Sequence, residues 1–436
     1  MQVLDAIPTF ARLRKLLHIF SRAIFYMEES TKAPLSAYQK LVIFILAFTQ
    51  FTVVLDFMIM SPMGDMLMKA IDLKPSEFGV AVSAYAFSAG ISGLLTAGFA
   101  DRFDRKKLLL FFYTGFIIGT FLCGFSTSYP MLVAARIVTG LFGGVIGSIS
   151  MAIITDVFTL DQRGRVMGFV QMGFGASQVL GIPIGLYIGN AWGWQSAFLM
   201  IAIVAVLIAI LIFLKLKPIT DHIGLQKKQS ALQHLWGTFT RKEYRIGFMA
   251  TALLSVGGFM MMPFSSVFAV NNLHVAHEQL PQLFMISGIA SLLIMPMVGM
   301  LSDRFDKYKI FAIATTWMMI MVLIYTSLGP TAFPIVVVLN ILMMMGILSR
   351  VTPSSALVSA VPEKEDRGAF MSVSASLQQM SGGIGAIIAG LIIVQQTNES
   401  PIEHYTTLGY IVVVISIITL VMMYGVSRYV GKKSIK

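Results

Sequence analysis

The sequence predicts an all-α membrane protein with twelve transmembrane helices arranged as two pseudo-symmetric six-helix halves. Three observations predict it. The 436 residues are 56% hydrophobic and only 12% charged, whereas soluble domains carry roughly a quarter charged residues. The chain holds twelve apolar runs of about 18 to 27 residues without period-2 alternation, long enough for helices to cross a bilayer core of about 30 Å and unsuited to barrel strands. The basic residues also sort onto one face of the topology that these runs define.

In order, the spans are Leu41 to Met60, Phe78 to Gly98, Leu108 to Phe125, Met131 to Val157, Val166 to Gly189 and Ser196 to Leu214. Then come Ile246 to Val270, Leu283 to Leu301, Ile310 to Leu328, Phe333 to Val358, Ala369 to Val394 and Leu408 to Tyr424. Successive connections alternate between two faces. One face collects the basic residues between Arg12 and Lys40, the cluster Arg102 to Lys107, Arg163 with Arg165, and those between Lys215 and Arg245. It also collects Arg304, Lys307 and Lys309, then Lys364 with Arg367, and the final basic residues from Arg428 onward. The other face has only Lys69 and Lys74, while Arg136 and Arg350 fall inside spans. Such a bias marks the basic face, with both termini, as cytoplasmic, and a missed or invented helix would have scrambled it. The formal charge of +11 therefore reads as a topology signal, with no nucleic acid implied.

Residues 1–40 are expected to be a cytoplasmic segment without a cleavable signal. Leu13, Leu16, Leu17, Phe20 and Ile24 recur at helical spacing beside Arg12, Lys15 and Arg22, as in a helix lying on the inner leaflet; a start at Met27 would instead leave residues 1–26 outside the protein. Residues 41–214 form the first six-helix bundle, 215–245 a polar cytoplasmic linker, 246–425 the second bundle and 426–436 a cytoplasmic tail. The one cysteine, Cys123, lies in an apolar run, which excludes a disulfide framework and makes it a packing residue.

The halves repeat each other. Asp101-Arg102-Phe103-Asp104-Arg105-Lys106 follows the second span, and Asp303-Arg304-Phe305-Asp306-Lys307 follows the eighth, 202 residues later in the equivalent loop. Gln162-Arg163-Gly164-Arg165 before the fifth span is echoed by Asp366-Arg367-Gly368 before the eleventh. Matching motifs at matching topological positions indicate parallel repeats.

On these motifs, residues 41 to 425 resemble the major facilitator superfamily, whose loop signature is Gly, three residues, Asp-Arg, one residue, Gly, then basic residues. The second copy keeps Gly299, Asp303 and Arg304; the first keeps Asp101, Arg102, Arg105 and Lys106 but has Ala97 in the leading Gly slot. Both place aspartate, Asp104 and Asp306, where the family usually has glycine. Arg136 with Gly140, and Trp194 with Phe198, are further matches. Gly181-Ile182-Pro183-Ile184-Gly185 is similar to the fifth-helix Gly-Pro signature of proton-driven exporters, with the proline one place later. The resemblance implies a secondary transporter like the drug:proton antiporter branch.

In such loops an aspartate can accept hydrogen bonds from a helix start while arginines hold carboxylates or helix C-termini across the halves. Contacts of that kind form when the cytoplasmic side closes and break when it opens. Asp101, Arg102, Arg105, Asp303 and Arg304 are read as gates, with Arg163 and Arg367 in the echoing loops. The alternative is that they only anchor topology.

Ionisable residues inside spans are expensive to bury and default to functional hypotheses. The deep ones are Asp56, Arg136 and Arg350, with Asp156 close enough to the inner surface to be anchored there. Asp56 lies 15 residues beyond Leu41, about 22 Å from the inner surface, and Arg136 lies 5 residues beyond Met131, about 8 Å from the outer one. In a core of about 30 Å the two share a level and can pair. Burial favours the neutral acid and a neighbouring guanidinium the carboxylate. A site balanced between those effects can take up a proton, so Asp56 is read as the proton carrier and Arg136 as its modulator; a fixed structural ion pair is the other reading. Arg350, about 26 Å from the outer face, is read either as holding an anionic substrate group or as an inner-gate partner of Asp156.

The transport pathway is expected to include Gln50, Gln171, Gln178, Asn340, Arg350 and Gln378, with Gln379 beside them. Methionines at 58, 60, 260 to 262 and 343 to 345 would give a lining that accepts varied apolar shapes, or are simply lipid and core contacts. Glycines at 140, 143, 144 and 147, and at 181, 185 and 189, permit close helix packing. All six histidines lie outside the predicted spans; His274, His277 and Glu278 are expected in a solvated outer loop and not at a metal. No Gly-Lys-Ser/Thr loop for ATP is present, and neither an enzymatic activity nor a cofactor is expected. The expected function is proton-coupled efflux of amphipathic compounds by a monomer, its partners being a small-molecule substrate, protons and membrane lipids. The alternative is a proton-coupled carrier of a defined sugar, nucleoside or organic acid.

Overall fold

The structure, a computed structural model, describes residues 35–96, 100–220, 223, 231–363 and 366–435. Among them twelve helices are long and apolar enough to cross a membrane. They are α1 (Ala37–Ile59), α2 (Pro75–Thr96), α3 (Arg105–Gly124), α4 (Tyr129–Val157), α5 (Leu160–Trp192), α6 (Trp194–Lys215), α7 (Lys242–Asn271), α8 (His277–Ser302), α9 (Lys307–Thr326), α10 (Phe333–Ser359), α11 (Arg367–Ile392) and α12 (Tyr405–Lys433). No named strand occurs among the described residues, only an isolated bridge between Val394 and Glu403. The interfacial helix expected around Leu13–Ile24 lies outside the described residues.

Local chemistry sets the helix ends. Ser36 opens α1 with a capping box: its hydroxyl accepts from Gln39 N, and the Gln39 side chain accepts from Ser36 N. Asp104 and Asp306, the two departures from the family loop pattern, are the N-caps of α3 and α9, accepting from Lys106 N and Lys309 N. The helices outrun several predicted edges: α5 begins at Leu160, and helix continues from Tyr405 to Ile435, through most of the expected tail.

Two prolines shape the first helix of each half. Ser61-Pro62 ends α1, and a short helix, Gly64–Ala70, follows; Met262-Pro263 breaks α7 before Ser265–Asn271. A proline removes an N–H and clashes with the preceding turn, so a continuous helix is not available there. The two short helices meet each other across the halves. In α5, Pro183 likewise has no N–H to donate, and the helix adjusts with one π turn, Ser177–Gly181, in which Ile182 N–H reaches back to Ser177 O.

The halves meet where α2 packs on α11 and α5 on α8. A Cβ at Gly79 would lie 2.7 Å from Ala386 O, and one at Gly390 2.7 Å from Pro75 O. Only glycine lets these backbones touch. The linker is not purely extended, for it contains a helix, Ala231–Thr240.

Candidate transport site

Four helices of the first half converge on one charge pair. Asp56 of α1 and Arg136 of α4 are both 0% exposed, with Arg136 Nη1 donating to Asp56 Oδ2 at 2.9 Å. The same nitrogen reaches Asp56 O at 3.4 Å, and Thr120 of α3 donates from Oγ1 to Asp56 Oδ1 at 3.1 Å. The ring of Tyr85, on α2, covers the guanidinium at 4.6 Å from its centroid, a cation–π contact strengthened by the burial of both groups. Nε and Nη2 of Arg136 have no hydrogen-bond partner among the described residues. The pair is therefore held through one arm of the guanidinium.

Beside this pair lies a cavity of about 790 Å3 between α1, α2, α4, α5, α7 and α11. Phe57 and Met58, which follow Asp56, form part of its wall, and the Phe57 ring lies 5.1 Å from that of Tyr85. Gln50, Gln378, Gln379, Phe174, Phe259 and Met262 also line it. It extends toward the basic face, where Thr96, Ala100, Arg105 and Ala152 complete the lining.

The opposite face is shut by contacts between the halves. Ser266 donates to Ser61 O at 2.6 Å, and Asn271 donates from Nδ2 to Asp65 Oδ1 at 2.6 Å. Lys69 Nζ lies 3.1 Å from Asp65 Oδ2 and donates to Asn271 Oδ1 at 3.3 Å. His277 Nε2 stands 3.3 Å from the same Asp65 oxygen, and Asn190 donates to His277 O at 3.0 Å. Asn398 donates to Asp72 Oδ1. The conformation is thus sealed on the side away from the chain ends and hollow toward the basic face.

The residues expected in the pathway divide. Gln50 and Gln378 line the cavity, as do Met58 and Met262, while Gln178 sits in the π turn behind it with Nε2 4.0 Å from the Met58 sulfur. Gln171 is exposed and does not line this cavity; α5 presents Phe174 there instead. Asn340 is buried within the second half, accepting from Ser287 Oγ at 3.0 Å, because a polar group in a span finds its partner inside its own bundle. Arg350 is buried, and its Nε has no partner among the described residues. It does not serve Asp156, whose Oδ2 takes the Nε–H of Arg105 at 3.0 Å.

Among the described residues, the contacts of the expected gates stay within one half. Arg105 binds Asp156 and Ala100 O, and Arg163 donates to Phe158 O and Thr155 O, all within the first half. Arg102, Arg304 and Arg367 are exposed, and the side chains of Asp101 and Asp303 lie outside what is described. His277 lies in the turn His277–Gln279 on the face away from the basic loops, where its imidazole joins the seal at Asp65. Asp65, Lys69 and Asn271 of that seal, and Tyr85 and Thr120 at the pair, were not singled out from the sequence. The proline spacing, Pro62 and Pro263, was the signal for the seal.

The linker is pinned at both ends. Ile219 N donates to Asp104 Oδ1 at 3.0 Å, and Arg105 N to Ile219 O at 3.1 Å. Asp366 accepts from Arg241 and from Tyr244 Oη and stands 3.6 Å from His234 Nε2.

Known proteins resemble this chain in sequence or in fold. An uncharacterized MFS-type transporter, YbcL of Bacillus subtilis (strain 168), is 25% identical over 374 residues, 86% of this chain and 94% of its own length. The multidrug resistance protein fnx1 of Schizosaccharomyces pombe (strain 972 / ATCC 24843) is 36% identical over 117 residues, 27% of this chain and 22% of its own length. The crystal structure of a D-xylose-proton symporter superposes with a TM-score of 0.71 at 17% identity, over 88% of this chain and 97% of that one. The profile of the Major Facilitator Superfamily matches residues 46–291 and 247–435. With nearly the whole chain matched and twelve spans in two facing halves, the protein belongs to the major facilitator superfamily of membrane transporters.

Proposed function

We propose that this protein is a proton-coupled secondary transporter that exports a small amphipathic organic solute across the cell inner membrane by alternating access. It acts as a monomer with both termini in the cytoplasm. The observation that carries the reading is the position of the Asp56–Arg136 pair: fully buried, yet one residue behind the wall formed by Phe57 and Met58. Removing one partner of a buried pair leaves an uncompensated charge, so protonating Asp56 changes how α1 and α4 hold each other. That change is carried along α1, which leads through Ser61-Pro62 to the short helix bearing Asp65 and the outer seal. Proton occupancy and closure of the far side are thereby linked along one contiguous segment, α1 and the short helix that follows its proline break. Export is favoured by the exporter-like glycine–proline segment Gly181–Gly185, at which the helix makes a π turn.

A second reading, a proton-coupled carrier of one defined metabolite, draws on the hydrogen-bonding amides Gln50, Gln378 and Gln379 in the wall. Everted membrane vesicles with an acid interior, followed by acridine orange quenching, separate the readings. Antiport with broad selectivity requires that several unrelated amphipaths dissipate the gradient, and that Asp56→Asn abolish the response to each. Dissipation by a single metabolite class supports the second reading, and an unaltered response in Asp56→Asn removes the coupling role.

A further inference from the structure

We infer that the solute carried in this cavity is uncharged: a compact molecule with an apolar body and hydroxyl, carbonyl or amide groups, organic cations being excluded. The inference rests on the transport reading above and names the substrate class of the same cavity. Its volume of about 790 Å3 suits a drug-sized occupant. Among the described lining residues none is acidic, and the one formal charge is Arg105. That charge is already engaged, its Nε donating to Asp156 Oδ2 at 3.0 Å and its Nη1 to Ala100 O at 3.3 Å. Asp56 offers nothing to the lumen either: it is 0% exposed, and its two carboxylate oxygens take hydrogen bonds from Arg136 and Thr120. An organic cation entering this cavity would lose its hydration with no carboxylate among the described lining residues to replace it. The phenyl faces of Phe57, Phe174 and Phe259 return only a cation–π attraction, smaller than the desolvation of a full charge.

The polar part of the wall is suited to a neutral partner. A glutamine amide both donates and accepts, so it reads hydroxyl, carbonyl and amide groups without needing charge. Gln50 comes from α1 in the first half and Gln378 with Gln379 from α11 in the second. A molecule held by these amides spans both halves, which is what lets its presence bias their relative position.

The test uses purified full-length protein at equilibrium without a pH gradient, titrated with three probes on one naphthyl body: a neutral carboxamide (2-naphthylacetamide), a trimethylammonium and a sulfonate. The carboxamide is expected to bind tightest, with the ammonium and the sulfonate at least about tenfold weaker. Gln378→Leu should weaken the carboxamide about fivefold, the loss of one hydrogen bond. Gln378→Glu should place a carboxylate in the wall and raise affinity for the ammonium, a gain that misfolding cannot produce. The inference is overturned if either charged probe binds the wild-type protein as tightly as the carboxamide, if the carboxamide does not bind, or if Gln378→Leu and Gln50→Leu leave its affinity unchanged. Binding of the carboxamide without proton movement in vesicles would reject the coupled-transport reading alone. Preference for the ammonium with proton movement intact would reject this inference alone.

Discussion

Asp65 and Asn271 are 206 residues apart in sequence, yet Nδ2 of Asn271 donates to Oδ1 of Asp65 at 2.6 Å across the two halves. The contact sits between the short helices that follow Pro62 and Pro263, and Asp65 is only 1% exposed. Lys69 and His277 converge on the same carboxylate. These groups hold the face away from the chain ends closed while the cavity faces the basic loops.

Weakening this seal should shift the protein toward the state open on that face. Hydrogen bonds to a charged group are worth about 1.5–3 kcal/mol, so Asp65→Ala is expected to change the ratio of the two states roughly ten- to hundredfold. Asn271→Ala, which leaves Lys69 and His277 on the carboxylate, should shift it less. Spin labels on Lys74→Cys and Glu278→Cys, both exposed positions flanking the seal, would report the change as a longer distance population by double electron–electron resonance. Unchanged distances in both variants would mean that the seal does not govern this face.

Arg136→Leu should destabilise the protein by about 3–5 kcal/mol, because it strands a buried carboxylate. Asp56→Leu combined with Arg136→Leu should recover most of that loss, since replacing both partners of a buried pair with apolar groups is close to neutral. Thermal unfolding in detergent compares the three proteins. A double variant no more stable than Arg136→Leu would contradict the pairing.

Tyr85→Phe should behave like the wild type in the same assay, because the ring over Arg136 is retained and no hydrogen bond of its hydroxyl to the pair is present. Tyr85→Leu removes the cation–π contact in a dry site, a loss of about 2 kcal/mol before any packing change. Equal melting temperatures for the two variants would show that the ring does not hold the arginine.

Asp366→Ala should free the linker from the second half, since Arg241, Tyr244 and His234 all converge on that carboxylate. Limited trypsin digestion is expected to cut faster near Arg241 and Lys242 than in the wild type. A cleavage rate matching the wild type would indicate that apolar packing alone fixes the segment.

Much of the architecture was legible because it is written in local quantities. Apolar length, the sorting of lysine and arginine, and the copy of the Asp-Arg loop 202 residues on all survive without knowledge of contacts. The Asp56–Arg136 pairing was accessible because helix rise converts sequence position into depth. Polar residues were harder to place, since span position gives depth and says little about which way a side chain turns. Gln50 and Gln378 face the cavity, whereas Asn340 turns into its own bundle toward Ser287 and Gln171 lies outside. The seal was hidden because its bonds close over about 200 residues and depend on two proline breaks acting together. The linker helix carried a readable signal in Leu235, Trp236 and Phe239, which the surrounding polar composition masked.

The most direct test compares two kinds of transport in one reconstituted system. Asp56→Asn protein in liposomes is assayed with radiolabelled 2-naphthylacetamide for exchange at equal pH, and for accumulation driven by a pH gradient. Exchange needs only the moving halves, so it should stay within about twofold of the wild type, whereas gradient-driven accumulation should be lost. Asp56→Asn protein that still concentrates the amide in response to the pH gradient would contradict the assignment of the proton to Asp56.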